Sequence, residues 1–423
     1  MHVIDLSSKM KTRITCRVCN SALEPILDLG DHYVSDFPKP GDMPGSKAPL
    51  ELCLCRRCHL LQLRHTVDPN DMYRNYWYRS GTNQTMRNAL ADVANKAETL
   101  IHLQEEDTVL DIGCNDGTLL ASYRTGGIIK VGIDPSNVAQ DARKVADKVM
   151  IDFFSADIYA KAMGSKRAKV VTSIAMFYDL EDPNRFVSDI KLVLEFNGLW
   201  IIQMSYLPLM LKTNEFGNIC HEHLEYYSLQ SLEYLLNLHG FEVVDVELND
   251  INGGSLRAYI RNKGADPVVF GDETYRSLAS ERVKAMGENE IRLGLTDKPI
   301  YEGFAMRVER IKQDTVGFIS NAVAQGKSVY VYGASTKGNT VLQYFGLDHT
   351  LITAAAERNP DKWGRVTVGT NIPIISEADA RAAKPDYFLV LPWHFLEEFM
   401  AREHDYLHAG GRFIVPFPYF TLI

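Results

Sequence analysis

The feature that most constrains this chain is an alternation of buried, strand-like runs with helical patterns, present twice. The first series is TVLDIG (108–113), KVGID (130–134), KVVTSIAM (169–176) and GLWIIQM (198–204), with helical patterns between them such as Asn184–Leu194. Short apolar strands alternating with helices imply parallel βαβ units, which assemble into a doubly wound sheet. GFEVVDVEL (240–248) and GGSLRAYIRNKG (253–264) follow, and predict a two-stranded antiparallel close to that sheet. A helix is expected before the series, from about Met86 to Leu103, where apolar residues recur three to four apart. Residues 272–325 read as largely helical and charged. The second series comprises KSVYVYGAS (327–335), LITAAAE (351–357), IPIIS (372–376), YFLVLP (387–392) and GRFIVPFP (411–418).

Residues 1–75 have a different texture, of short segments broken by Gly and Pro with clustered cysteines. The expected division is therefore 1–75, 76–264 and 265–423. The fold class is α/β, with an N-terminal metal-binding module and two Rossmann-like domains. A chain of 423 residues, 46% of them hydrophobic and 23% charged, can bury several cores without cross-links. The 54 acidic residues outnumber the 45 basic ones. That balance argues against nucleic acid as a partner, since such proteins carry a basic face. No run approaches the roughly 18 apolar residues of a membrane span, and MHVIDLSSKMKTR lacks a signal-peptide core. The expectation is a cytoplasmic protein with no membrane partner.

Five of the seven cysteines (Cys16, Cys19, Cys53, Cys55, Cys58) fall within the first 60 residues. In a reducing compartment such a cluster reads as metal binding. Cys16-x-x-Cys19 and Cys55-x-x-Cys58 form two knuckles with 35 residues between them. Each can present two thiolates to one tetrahedral zinc ion. Cys53 reads as a bystander. A zinc ribbon can also contact nucleic acid, but the flanks here (Arg17, Arg56, Arg57) are only modestly basic.

Asp111-Ile-Gly113-Cys114-Asn115-Asp116-Gly117 follows a strand and opens a helix. Gly113 allows a sharp turn and close approach to a ligand, and free N–H groups at a helix start can meet a carboxylate. Asp134 ends the next strand, 21 residues on, where an α/β nucleotide site places its ribose acceptor. A dinucleotide dehydrogenase would need G-x-G-x-x-G. Here the middle glycine is missing, and Asp111 and Asp116 would repel a pyrophosphate. An adenosyl cofactor bearing a sulfonium and an amino group tolerates those carboxylates, so S-adenosylmethionine is the expected cofactor. Cys114, Asn115, Gly117, Pro135 and Gln84 complete the candidate set. Asp157 is a candidate for the adenine amine, or else a helix cap before Ile158.

His221-Glu222-His223 lies in FGNICHEHLEYYS, after the fourth strand of the first series. Three adjacent ionisable groups beside the carboxyl ends of a parallel sheet are candidates for acid–base work. The spacing is not HExxH, and a His-x-His metal site lacks an obvious third ligand. MYRNYWYRSGTNQTM (72–86) is dense in hydroxyl and amide groups and could line a polar pocket or pack between domains. Gly333-Ala-Ser335-Thr-Lys337-Gly338-Asn-Thr340 also joins a strand to a helix. It is not a P-loop, because Asn339 stands where Lys-Ser/Thr would follow the last glycine. Ser335, Lys337 and backbone N–H groups could cradle a diphosphate, or the segment could be an ordinary capped helix start.

In combination, the paired CxxC knuckles, YWYRSGTNQTM, VLDIGCNDGTLL, CHEHLEYYS, NGGSLR and YGASTKGNT resemble the zinc-containing sugar C-methyltransferases of deoxysugar biosynthesis, nearly end to end. The resemblance implies a zinc-binding N-terminal module, a central class I methyltransferase domain and a C-terminal Rossmann-like domain without a nicotinamide. It implies a monomer whose sugar nucleotide lies between the last two domains. The family's catalytic base falls on His223, with Glu222 beside it and a pocket tyrosine on Tyr78 or the neighbouring Tyr76. Some members carry a histidine where this chain has Tyr178, and Asn218 joins the expected substrate contacts. The implied reaction puts a methyl group on C3 of a nucleotide-linked 4-keto-6-deoxy sugar. A base forms an enolate there, whose oxygen Tyr78 or His221 could stabilise. The expected carrier is thymidine diphosphate, with guanosine or cytidine diphosphate as alternatives. A methyltransferase acting on oxygen or nitrogen of a related small molecule is the competing reading, and a zinc-ribbon binding protein with a vestigial cofactor fold is the third.

Overall fold

In a computed structural model of the chain, the structure describes residues 10–43, 45–73, 77–266 and 270–423. The N-terminal strands are β1 (Met10–Thr12), β2 (Leu23–Tyr33), β3 (Lys47–Cys55), β4 (Leu61–Leu63) and β5 (His65–Val67). β1 pairs antiparallel with β5, while β2, β3 and β4 form an antiparallel meander. Leu50, Leu52, Leu54, Leu61 and Leu63 are buried on these strands, so the module has apolar packing beside its cysteine knuckles.

The first alternating series folds as expected. Its strands are β6 (Thr108–Ile112), β7 (Ile129–Ile133), β8 (Lys148–Met150), β9 (Ala168–Ile174) and β10 (Leu194–Ser205). After a short β11 (Glu225–Tyr226) come β12 (Phe241–Asn249) and β13 (Ser255–Asn262). The sheet order is β12-β13-β10-β9-β6-β7-β8. β13 lies antiparallel between β10 and β12, and the other neighbours are parallel. Helices cover both faces, so β6 is buried along its whole length. Strand order reverses between β6 and β9, and a crevice opens there at the carboxyl ends. The helix expected over 86–103 spans Gln84–Ile101. Asn83 caps it by accepting from the Thr85 N–H, and Leu90, Val93, Ala94, Ala97, Leu100 and Ile101 face the sheet.

The charged stretch becomes two helices, Glu273–Leu293 and Lys298–Ala324. The second series follows as β14 (Val329–Tyr332), β15 (Ala354–Glu357), β16 (Ile374–Ser376), β17 (Tyr387–Val390), β18 (Arg412–Val415) and β19 (Thr421–Leu422). Their order is β16-β15-β14-β17-β18-β19, parallel except for β19, with its own reversal between β14 and β17.

One strand ties the modules together. β11 belongs to the chain of the central domain but pairs antiparallel with β4, completing the N-terminal sheet. A single buried cluster accordingly includes Leu52, Phe216, Leu224, Val308, Val331 and Val341. Phe216 sits at its middle, with ring centroids 5.4 Å from Tyr344 and Phe345 and 5.5 Å from Phe417. Truncating such a ring costs about 3–5 kcal/mol. Interface packing therefore sets the relative placement of the two Rossmann-like sheets. Among the described residues no helix is long and apolar enough to cross a membrane.

Candidate active site

The loop after β6 turns on Gly113 at φ +76°, where a Cβ would come within 3.0 Å of Met176 Cγ. Asn115 follows in the left-handed region, φ +50°. Its N–H donates to Asp134 Oδ2 at 2.9 Å, and the Ser136 N–H donates to Asp134 Oδ1 at 2.7 Å. The Asp134 carboxylate is thus held at the end of β7, facing the crevice. Asp111 is buried and accepts from Thr172 Oγ1 at 2.6 Å. Burial pushes its carboxyl up to about 7. Phe153 and Phe154 line the same cavity beside Ala175 and Met176 and supply apolar walls.

Asp116 and Gly117 have another task. Asp116 accepts from the Gly81 N–H at 2.7 Å and from Thr118 Oγ1 at 2.6 Å, while the Asn115 side chain bonds the Ser80 N–H and the Tyr78 carbonyl. The 78–82 segment is strapped across the loop by these bonds. Gly117, φ +82°, lies so close to the 142–145 turn that a Cβ would meet Val145 Cγ2 at 2.7 Å. Gln84 is exposed and bonds Asn88 and Arg87 on its own helix. Asp157 is exposed in the first turn of the Ala156–Met163 helix, whose cap is Ser155. These four residues therefore support or border the loop instead of lining the cavity.

The His221-Glu222-His223 segment borders this crevice, with Glu222 and His223 among its lining residues. His223 Nδ1 lies 2.9 Å from the Asn218 carbonyl, which also accepts from Tyr226 OH at 3.2 Å. A carbonyl can only accept, so Nδ1 carries the proton and Nε2 is left as the basic position. Tyr178, in the turn after β9, meets the His223 ring edge-on at a centroid distance of 4.4 Å. Burial, reinforced by Lys337, pulls the imidazole down to about 3, so the ring is neutral. Glu222 lines the cavity too, and burial raises its carboxyl to about 7. His221 does not join them. It is buried with Nε2 2.9 Å from the Ala48 carbonyl on β3, so it fastens the segment to the N-terminal module. His221, expected in the sequence as a possible enolate donor, does not line the cavity.

On the far wall stand the residues after β14. Ser335 caps the Thr336–Phe345 helix, accepting from the Gly338 N–H at 3.0 Å. Lys337 lines the cavity and donates to the Asn252 carbonyl at 3.3 Å. Glu215 is buried nearby, accepts from Trp393 Nε1, and is raised to about 7 by burial. His394 Nδ1 is buried without a hydrogen-bond partner, and burial takes the ring down to about 3. The cavity between the walls measures about 1870 Å³, room for a nucleotide-sized ligand beside a cofactor. Tyr78 lines it with the neighbouring Trp77. Tyr76 lies outside the described residues. Asn218 borders His223, its side-chain oxygen buried and unbonded.

Sequence reasoning did not single out Glu215, Phe153, Phe154 or Met176. The Glu215–Trp393 bond joins residues 178 positions apart, and no local motif announces such a contact.

The four knuckle cysteines come together. Cys16 and Cys58 Sγ lie 3.5 Å apart, Cys19 and Cys55 3.3 Å apart, and all four sulfurs within 4.8 Å. A tetrahedron with Zn–S bonds of about 2.3 Å has S···S edges of about 3.8 Å, so the donor set fits zinc. Gln62 Nε2 donates to Cys16 Sγ at 3.1 Å, and Cys53 stands outside the cluster. The cysteine cluster is connected through the sheet to the segment that carries His223. Gln62 pairs in register with Glu225, the Leu63 N–H bonds the Leu224 carbonyl at 2.9 Å, and the Leu224 N–H bonds the Tyr178 carbonyl at 2.8 Å.

Comparison with known proteins gives three successive family matches. Residues 16–73 match a zinc binding domain, 82–246 a methyltransferase domain, and 250–418 a C-methyltransferase C-terminal domain. The chain is 32% identical to the C-methyltransferase NovU of Streptomyces niveus over 413 residues, 95% of each chain. Among solved structures it resembles magnesium protoporphyrin IX methyltransferase from Synechocystis PCC 6803 with bound SAH, at 14% identity and a TM-score of 0.33. That match covers 43% of this chain and 89% of the other. The plantazolicin methyltransferase BpumL in complex with SAH matches at 14% identity and a TM-score of 0.33, over 42% of this chain and 83% of that one. The cofactor of the methyltransferase domain is S-adenosylmethionine, and that of the N-terminal module is zinc, for which the Cys16, Cys19, Cys55 and Cys58 sulfurs form a fitting donor set.

Proposed function

This chain belongs to the C-methyltransferase family, and from that premise we propose that it methylates C3 of a nucleotide-linked 4-keto-6-deoxy sugar through an enolate. In this reading residues 1–75, 76–264 and 265–423 carry the metal, the methyl donor and the sugar nucleotide respectively. The observation that supports it best is the neutral His223, its tautomer fixed by the Asn218 carbonyl, in a cavity shared with the cofactor loop.

Carbon is nucleophilic only where a neighbouring carbonyl acidifies its C–H, and a 4-keto sugar offers that at C3. His223 Nε2 takes the C3 proton. The neutral imidazole has Nε2 free to accept, and its depressed proton affinity is relieved as negative charge develops on the substrate beside it. Tyr178 fixes the ring from its edge, Glu222 adjoins it, and Tyr78 offers a hydroxyl from the strap. Asp134 would hold the ribose diol and Asp111 would serve the positive end of the methyl donor, with Gly113, Cys114, Asn115 and Pro135 shaping the floor. S-adenosylmethionine, when bound, supplies an electrophilic methyl on sulfonium. Asn218, Ser335 and Lys337 stand on the substrate side, with thymidine diphosphate the favoured carrier and a monomer the working unit.

The test is mass spectrometry after incubation with S-adenosylmethionine and a dTDP-4-keto-6-deoxyhexose deuterated at C3. The expected product gains one methylene mass and loses one deuterium. A methyl gain with the deuterium retained moves the reaction to oxygen, nitrogen or another carbon and overturns the C3 reading.

A further inference from the structure

We propose that Lys337 is a catalytic residue whose ammonium holds the enolate oxygen, in the place that His221 leaves vacant. The inference rests on the C3-methylation reading.

When the C3 proton moves to His223 Nε2, the C–H electron pair forms the C3=C4 bond and the carbonyl pair retreats onto O4. The site must then hold an oxyanion. When C3 takes the methyl, the carbonyl re-forms and the sulfonium becomes a neutral thioether. Charge on O4 is transient, and a preorganised cation there lowers the barrier more than it aids ground-state binding.

Six cationic side chains line the cavity among the described residues. Arg79, Arg358, Lys362 and Arg402 are already in ion pairs, with Asp141, Glu398, Glu357 and Glu377. Arg365 is held by the Asp361 and Phe37 carbonyls and stacked over Trp77. Lys337 has one long bond to the Asn252 carbonyl and no carboxylate within ion-pair distance among the described residues, the buried Glu215 acting on it only from farther off. Its position is costly, because it lies in the first turn of a 10-residue helix, where the dipole opposes a cation.

Its placement is also tied to the base. A Cβ on Gly217 would lie 3.2 Å from the Lys337 carbonyl, so the lysine backbone packs on the turn whose next residue, Asn218, fixes the His223 ring. The ammonium is close enough to depress the proton affinity of His223, and burial depresses its own. Two groups that disfavour each other's charge become mutually stabilised once an anion forms between them. A proton on His223, a cation on Lys337 and an enolate between them is the arrangement that balances.

Lys337→Met keeps the length of the side chain and removes its charge. Wild type and variant would be compared for turnover, KM and C3-deuterium washout on a dTDP-4-keto-6-deoxyhexose, for S-adenosylmethionine affinity, and for the NMR titration of labelled His223. Turnover and washout should fall together by at least roughly 100-fold, with KM within about threefold. The His223 midpoint should move up, and cofactor affinity should not change. A tenfold or greater rise in KM with turnover intact would make Lys337 a diphosphate anchor and overturn the proposal, as would an unmoved His223 midpoint. A wild-type enzyme that washes out no C3 deuterium would sink the C3 reading itself. Washout in wild type that the variant matches would sink only the role of Lys337.

Discussion

Asp111 is a carboxyl group held where water does not solvate it, and its proton affinity records the fact. In the free protein it is raised to about 7 by burial. A group raised above its unfolded value favours the folded state below the ordinary carboxyl range, and that contribution is lost as pH climbs to about 7. A cationic ligand favours the ionised form. Affinity for S-adenosylmethionine should therefore fall as pH drops below about 7 and level off above it, with proton release on binding in the lower range. Calorimetry in two buffers of different ionisation enthalpy reads this directly, and Asp111→Asn should flatten the profile. At His223 the expectation concerns rate. His223→Asn should lower turnover by at least roughly 100-fold with cofactor affinity nearly unchanged. A variant with near-normal turnover would pass the role of base to another residue.

At the scale of elements, the loop between β6 and the next helix is set by close backbone approach. Gly117 is the tightest point, with Ala142 Cα 2.9 Å and Val145 Cγ2 2.7 Å from any added Cβ, at a backbone angle that suits glycine. Gly117→Ala should destabilise the protein by about 1–3 kcal/mol, and it should weaken cofactor binding as the Asp116–Gly81 strap shifts. Thermal unfolding and a binding isotherm would check both; an unchanged melting temperature would mean that the turn yields. This element was legible in the sequence, because Gly-rich strand-to-helix turns have a local signature. The strap was not. Its bonds join residues 35 positions apart through backbone N–H groups, which any residue carries.

For the whole molecule, the consequential contact is the pairing of β11 with β4. The segment that carries the proposed base runs into the last strand of the zinc module's sheet, so the metal should bear on His223 through Gln62, Leu63 and Leu224. Removing zinc by chelation should speed hydrogen exchange across 218–227 and cut turnover, while cofactor affinity, carried by the crevice at β6 and β7, should change little. Protection unaltered after metal loss would show that the sheet holds the segment unaided. The Glu215–Trp393 bond makes a similar link between the two Rossmann-like domains. Trp393→Phe keeps the ring and removes the donor, and it should raise the KM for the sugar nucleotide with cofactor affinity intact.

The amino-acid sequence by itself determined both doubly wound sheets, the antiparallel close, the zinc knuckles and the loop with its acidic strand end. Each of these is written in a local pattern: a hydrophobic period, a two-residue cysteine spacing, a glycine before a helix. His221, Asp116, Gln84 and Asp157 share those patterns or adjoin them, yet the structure turns them to bracing, capping or solvent. Only the tertiary structure decided which histidine of His221-Glu222-His223 reaches the cavity, because orientation there depends on the Ala48 and Asn218 carbonyls that accept from the two rings. It also decided that Lys337 shares that cavity with His223, 114 residues earlier in the chain. Packing of one domain on another brings such groups together, and no pattern within a single segment encodes it.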